Sequence, residues 1–270
     1  METSERVTLH GRGLHTGQPC CLELWHRPGP VQLQGVGPSA TIGALVVVRA
    51  DRGVQVMPAT SSWRIDSIEH LMAALAGLGI RRGLAARVTG PEVPLLDGCA
   101  RRLAECIGSF ELCPDEPHLR VVRAGEVQIG DSSYRFVPAC NVEVEVAVDF
   151  SSWGLGSEQA SWKGDPGSFL DEISPARTFG FMSERASLLA ANRARGADPA
   201  SVLVFDPAGR VVAPGPPATP GELARHKLLD LLGDFYLLGG PPVGRVVARH
   251  PGHSANLTAL HRAKADKIVA

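Results

Sequence analysis

The stretch RHKLLDLLGDFYLL, residues 225–238, decides how this chain folds. Apolar residues fill most of it, yet His226, Asp230 and Asp234 recur at a spacing of four. On an α-helix, residues i, i+4 and i+8 lie along nearly one line, so these three side chains share a face. The simplest explanation is the solvent-exposed stripe of an amphipathic helix, and a short pattern of this kind is weak evidence for anything else.

A second predicted helix has the same character and weakens that explanation. The stretch SIEHLMAALAGLGI, residues 67–80, is apolar nearly all round and carries Glu69 and His70 near its start. A helix without a polar face is usually buried, and buried carboxylates and imidazoles must be paired or bound to metal. If the two helices meet, His70, His226 and Asp230 come together.

Two histidines and one carboxylate are a suitable ligand set for catalytic zinc. Three protein ligands leave a fourth coordination position for water. Glu69 adjoins a ligand without being needed as one, so its carboxylate is placed to act as a general base. The sequence therefore predicts Zn²⁺ held by His70, His226 and Asp230, and a hydrolytic reaction.

The stretch HPGHSANL, residues 250–257, offers a further catalytic group. A protonated His253 would stabilise an oxyanion or donate a proton to a leaving amine. His250 competes for this role, and an ordinary surface histidine is the alternative. Asp234 would hold the second ring nitrogen of a histidine. The remaining histidines are interpreted as structural or solvated: His10, His15, His26, His118 and His261.

The order of predicted elements indicates an α+β fold of two similar domains. Strands, a helix, a strand and a helix occupy residues 1–113, and the same order returns over residues 119–270 after the proline-broken segment CPDEPHL. Each domain is predicted to be a β-sheet with helices on one face. Facing helical layers would cover both apolar helices and place the active site at the domain junction. A hairpin is expected over residues 201–212.

Composition and patterning give no sign of a nucleic-acid partner, a transmembrane segment or a signal peptide. The 27 Lys and Arg residues balance 28 Asp and Glu residues, so there is no basic excess to indicate a nucleic acid. No run of about 18 apolar residues predicts a transmembrane segment. The polar start METSERVTLHGRG lacks the apolar core of a signal peptide. The sequence therefore predicts a cytoplasmic protein.

Several motifs in this sequence resemble the UDP-3-O-acyl-N-acetylglucosamine deacetylase family, the zinc enzymes of lipid A biosynthesis. They occur in family order from one end of the chain to the other. The matching stretches are GLHTG (13–17), SIEHLMAALAGLG (67–79), PEVPLLDG (91–98), SPARTFGFM (174–182), HKLLDLLGD (226–234) and GHSAN (252–256).

The resemblance implies the same zinc ligands and the same base as the residues themselves. It also implies that His253, not His250, is the catalytic histidine, oriented by Asp234. The family fold it implies has two similar α+β domains with the site at their junction. The implied substrate is an acylated UDP-N-acetyl sugar, which loses its acetyl group, and a monomer is expected.

Three further residues are assigned through the resemblance alone. Thr178 is similar to the family threonine that helps to polarise the substrate carbonyl. Phe179 resembles its substrate-facing neighbour. Lys227 matches a lysine that binds substrate.

Two stretches depart from the family pattern. FSSWGLG (150–156) stands where an F-x-H-P-like segment is usual, and GADPASVLVFD (196–206) lacks the usual paired glycines. In the family these regions help to shape the acyl passage and the sugar contacts. One alternative is therefore a paralogous zinc deacetylase that acts on another N-acyl substrate. A non-catalytic nucleotide-sugar-binding protein is another, although such a protein needs neither Glu69 nor His253.

Overall fold

The structure of the chain is a computed structural model that describes residues 6–212 and 215–270. Within these two ranges, no helix has both the length and the apolar character needed to cross a bilayer.

The first half of the described chain builds one five-stranded sheet and one hairpin. Its strands are β1 (Arg6–Arg12), β2 (Pro19–Pro30), β3 (Gln32–Gln34), β4 (Ala40–Thr41), β5 (Leu45–Arg49), β6 (Gln55–Pro58) and β7 (Arg82–Thr89). The sheet has the order β1–β2–β7–β3–β4, and β5 pairs with β6. Helix α1 (Glu69–Gly77) precedes β7, and α2 (Arg101–Gly108) follows it.

The second half builds another five-stranded sheet and a separate two-stranded sheet. Its strands are β8 (Gly125–Ile129), β9 (Ser132–Val137), β10 (Val142–Asp149), β11 (Ser157–Trp162), β12 (Phe179–Phe181), β13 (Leu203–Phe205) and β14 (Gly244–Arg249). Its helices are α3 (Pro166–Ser168), which continues as a π-helical turn (Phe169–Ile173), α4 (Arg185–Ala190), α5 (Glu222–Tyr236) and α6 (His253–Ala265). The sheet order is β8–β9–β14–β10–β11, and β12 pairs with β13.

The two large sheets share one topology. In each, the first four strands follow the same order in space, and the last strand inserts between the second and the third. That last strand is parallel to the third strand and antiparallel to the second in both sheets. The α+β fold with two similar sheet-and-helix halves is therefore confirmed. The division at residues 113 and 119 stays a prediction.

Helices α1 and α5 pack against each other between the two halves. A Cβ atom on Gly233 would lie 2.1 Å from the backbone oxygen of Glu69, so only glycine allows the two backbones to approach so closely. Every residue of α5 except Arg225 and Lys227 is buried. The line of His226, Asp230 and Asp234 is thus an interior line and not a solvent stripe.

The hairpin expected over residues 201–212 forms only in part. A tight turn joins Asp206 to Arg210, and a single antiparallel bridge joins Phe205 to Val211. The main partner of Leu203–Phe205 is β12, which lies parallel to it. Burial of Phe181 and Phe205 in one apolar cluster explains why this pairing prevails.

Candidate active site

The predicted metal ligands converge where α1 meets α5. His70 comes from α1, and His226 and Asp230 come from successive turns of α5. The Asp230 Oδ1 atom is 3.8 Å from His70 Nε2 and 3.5 Å from His226 Nε2. One ligand atom of each residue lies within 4.8 Å of the others. His226 Nδ1 is 3.0 Å from the Ala176 carbonyl oxygen, which fixes the tautomer that turns the Nε2 lone pair to the centre.

The electrostatics of these groups suit metal binding. Burial, followed by the neighbouring His226, lowers the pKa of His70 to about 3. Burial also lowers the pKa of His226. Burial alone would raise the pKa of Asp230, but His226 and Lys227 hold it well below its usual range. Two neutral imidazoles and an ionised carboxylate are the protonation states in which these side chains bind metals.

Glu69, the first residue of α1, is buried beside the centre. Its Oε2 atom accepts a hydrogen bond of 2.9 Å from the Val54 backbone N–H. Burial raises the pKa of this carboxyl group to about 7, against the opposing effects of His253 and the Val54 N–H. A carboxylate that titrates near neutral pH is well matched to general-base catalysis.

His253 is the first residue of α6 and lies beside the centre. Its Nδ1 atom is 2.9 Å and 3.1 Å from the two Asp234 oxygens, and its Nε2 atom is 4.0 Å from Asp230 Oδ2. Burial lowers the pKa of His253, but the Asp234 and Asp230 carboxylates outweigh it and raise the value to about 10. His250 is exposed, and its backbone N–H bonds to Ala147. The structure thus brings His253, not His250, to the centre.

A cavity of about 880 Å³ contains these groups and the three residues assigned through the resemblance. Thr178 lies on its wall, fixed by a 2.7 Å hydrogen bond from its backbone N–H to the Gly98 oxygen. Lys227 Nζ is 2.9 Å from Asp230 Oδ2 and 5.5 Å from the centre of the Phe179 ring. Of the nine predicted site residues, only Asp234 stays behind the wall, in contact with His253.

Comparison with known proteins agrees with this geometry. The family model described as "LpxC: UDP-3-O-acyl N-acetylglycosamine deacetylase" matches residues 2–264. The chain belongs to this family. Relatives named UDP-3-O-acyl-N-acetylglucosamine deacetylase in Brucella melitensis biotype 2 and Brucella ovis are each 32% identical over 270 residues. Each match covers 97% of this chain and 94% of the relative.

Part of the cavity wall in this LpxC family member is aromatic. We call it the apolar arm and define it by Phe150, Trp153 and Phe181, which line the cavity and contact one another. The Trp153 ring stacks on the Phe181 ring at 4.0 Å between centroids. Trp153 belongs to the FSSWGLG stretch, so this departure from the family pattern supplies part of the wall.

His15, interpreted from the sequence as structural or solvated, lies on the wall of the cavity. His15 is buried on the cavity wall, with Nε2 2.7 Å from the Arg52 oxygen. A Cβ on Gly53 would lie 3.1 Å from His15 Nε2 and 3.2 Å from Glu69 Oε1, so the histidine and the carboxylate flank the same glycine. The available signal was the glycine-rich turn GRGLHTG between two strands.

A partly buried ion pair, also missed from the sequence, joins the Thr178 loop to α5. Arg177 Nε donates to Glu222 Oε1 at 2.8 Å, and Glu222 also accepts from the backbone N–H of Thr219 at 2.8 Å. Burial would raise the pKa of Glu222, but these donors lower it to about 2. The pair therefore fixes the loop before Thr178 relative to the helix that carries His226 and Asp230.

Proposed function

We propose that this chain is a zinc-dependent deacetylase that hydrolyses the N-acetyl group of UDP-3-O-acyl-N-acetylglucosamine and releases acetate in lipid A biosynthesis. One observation carries the proposal. His70, His226 and Asp230 converge in a large cavity that Glu69 and His253 also line, in a chain that the deacetylase family model matches over residues 2–264.

The donor set fits zinc. Two imidazole nitrogens and one carboxylate oxygen, with a fourth side open to the cavity, are typical of catalytic zinc sites. Zinc, when bound, supplies a Lewis acid that makes water acidic and polarises a carbonyl group. We assign His70, His226 and Asp230 as its ligands.

The residues around the ligands carry out the proton transfers and stabilise the developing charge. Glu69 takes a proton from the attacking water, whose oxygen bonds to the acetyl carbon. The Thr178 hydroxyl donates to the carbonyl oxygen as negative charge develops there. His253 gives a proton to the amine nitrogen as the C–N bond breaks, and Asp234 orients its ring. The products are acetate and a free amine.

Different parts of the cavity suit different parts of the substrate. Lys227 places a cation beside the centre, where it would meet an anionic part of the nucleotide sugar, while Phe179 borders the reacting group. The apolar arm is suited to an acyl chain because Trp153 and Phe181 line it with aromatic surface.

The test is direct. Zinc-loaded protein is incubated with UDP-3-O-acyl-N-acetylglucosamine that carries acyl chains of several lengths, and free amine and acetate are followed. We expect both products in equal amounts, and their release by the Glu69→Gln variant to be about 10²–10⁴-fold slower. Cleavage of a simpler N-acetyl sugar alone would favour a paralogue with another N-acyl substrate. Binding without any cleavage would favour a nucleotide-sugar-binding protein.

The monomeric state and the cytoplasmic location expected from the sequence remain predictions. Light scattering of the zinc-loaded chain tests the first, and fractionation of cells that make it tests the second.

A further inference from the structure

Asp234 has a second partner besides His253. The side-chain Nδ2 of Asn256 donates to Asp234 Oδ2 at 2.7 Å, and the Tyr134 hydroxyl donates to Asn256 Oδ1 at 2.6 Å. Tyr134, Asn256 and Asp234 each have 0% of their surface exposed. A continuous buried series of hydrogen bonds thus runs from Tyr134 through Asn256 and Asp234 to the ring of His253.

The chemistry of the groups fixes which of them donates and which accepts in each hydrogen bond of this series. An ionised carboxylate only accepts hydrogen bonds, so the Asn256 amide must turn its NH₂ group to Asp234 and its oxygen to Tyr134. Burial raises the pKa of Tyr134, so its hydroxyl keeps the proton that it donates. Each member therefore has one orientation in which all the buried bonds are made.

Tyr134, the first member of this series of hydrogen bonds, lies on a rigid element. Tyr134 lies in β9 and pairs with both neighbouring strands, opposite Ala248 and Val127. The same strand begins with Ser132, whose hydroxyl donates to the His250 oxygen at 2.7 Å. Strand β9 therefore supports the start of α6 both behind Asp234 and along the loop that leads to His253.

We propose that Tyr134 and Asn256 are positioning residues for this reaction: through Asp234 they hold the His253 ring in the direction from which it donates its proton. The proposal rests on the function proposed above for His253. Neither residue lines the cavity, so neither is assigned a contact with substrate. Without the Tyr134 hydroxyl, the Asn256 oxygen loses its donor and the amide is anchored only through its bond to Asp234, so Asp234 is held less firmly.

The test compares Tyr134→Phe with Tyr236→Phe in the full zinc-loaded chain. Tyr236 is a matched control because its buried hydroxyl donates to the Ile80 oxygen, at 2.5 Å, instead of to the Asp234 chain. Both variants lose one buried hydroxyl and are compared at a temperature where both are folded by circular dichroism. We expect Tyr134→Phe to lower kcat about 10-fold, the lower end of the range for outer partners of a catalytic group. KM and zinc content should not change, and Tyr236→Phe should keep the wild-type kcat.

A double-mutant cycle separates positioning from a general structural effect. In a His253→Ala background, Tyr134→Phe should cause no further loss of kcat, because the group it acts through is absent. Equal kcat values for Tyr134→Phe and Tyr236→Phe, or the same loss with and without His253, would overturn the proposal.

A second readout keeps this inference distinct from the proposed function. The NMR signal of the His253 Nδ1–H group should shift in Tyr134→Phe and stay unchanged in Tyr236→Phe. If the wild type released no amine, the proposed function would fail, and the NMR comparison would still decide whether Tyr134 holds the His253 ring. An unshifted signal in both variants would refute it.

Discussion

At the scale of single residues, the cavity gives opposite roles to two groups that face the same ligands. Burial raises the pKa of Glu69 to about 7. Burial acts on His253 in the opposite direction, but Asp234 and Asp230 raise its pKa to about 10. A base and an acid are therefore both available between these values, and such a separation by environment identifies acid–base roles.

The first prediction concerns the base. Glu69→Gln should keep the zinc, because His70, His226 and Asp230 complete the ligand set, but kcat should fall about 10²–10⁴-fold with the loss of a positioned base. Elemental analysis and steady-state kinetics on the same preparation check this. His226→Ala is the contrasting variant and should lose zinc. Near-normal turnover of Glu69→Gln would remove Glu69 from the mechanism.

The second prediction concerns pH. The proposed mechanism requires Glu69 ionised and His253 protonated, so kcat/KM should fall as pH drops below the pKa of Glu69 and again as pH rises above that of His253. Bound zinc adds positive charge, which lowers both pKa values and moves both limbs to lower pH. The two limbs describe coupled groups, so they report macroscopic values.

Two histidine variants test this assignment. His253→Ala should flatten the basic limb of the pH profile. His250→Ala is the matched control, because His250 is exposed three residues earlier, and it should keep the wild-type profile. Equal effects of the two substitutions would mean that His253 is not the acid.

At the scale of elements, the site depends on how closely α1 and α5 approach. Gly233→Ala places a methyl group 2.1 Å from the backbone oxygen of Glu69. The helices must therefore separate, and the Glu69 carboxylate must move with α1. We expect overpacking to cost about 1–3 kcal/mol, together with a lower kcat. Gly108→Ala is the control: it lies at the end of α2 with no atom near the added Cβ, so its stability should not decrease.

Denaturant unfolding of both glycine variants provides the measurement. A Gly233→Ala protein as stable and as active as Gly108→Ala would show that the close approach of the helices is not required.

The apolar arm carries the fourth prediction. Trp153→Ala removes the ring stacked on Phe181 and lengthens the space open to an acyl chain. Each added methylene that is buried contributes about 0.8 kcal/mol, so kcat/KM should peak at a longer chain than in the wild type. Trp25→Ala, in β2 of the first sheet, should leave the preferred length unchanged. The same preferred length in both variants would exclude the arm as the acyl site.

Elements with a strong apolar pattern were predictable from the sequence. The helices around residues 67–80 and 225–238 carry dense apolar runs, and both are buried. Strand β11, SEQASW, has no β-branched residue and becomes a strand because it pairs with β10. The two-residue β4 and the π-helical turn Phe169–Ile173 have no periodicity that a sequence pattern would reveal.

The site was predictable to a similar extent. Helical spacing placed His226 and Asp230 on one face, and the resemblance supplied Thr178, Phe179 and Lys227. His15 and Tyr134 are held beside the site by partners far apart in sequence: the Arg52 oxygen for His15 and Asn256 for Tyr134. No local spacing encodes such contacts, which is why these residues emerged only from the fold.

At the scale of the whole molecule, the candidate ligands come from both halves. His70 belongs to the helix of the first half, while His226 and Asp230 belong to that of the second. Zinc held by this proposed set would join α1 to α5, and the unfolded chain does not bring the three residues together. Binding must therefore stabilise the folded chain as a whole.

The last prediction follows from this linkage. At free zinc about 100 times Kd, the free energy of unfolding should exceed that of the chelator-treated protein by about 2.7 kcal/mol. Denaturant titrations with zinc and with chelator measure the difference. His226→Ala should lose the zinc-dependent gain, whereas His250→Ala should keep it, because an exposed histidine outside the centre does not bind the ion. An equal gain in both variants would place the stabilising zinc elsewhere and refute a site shared by α1 and α5.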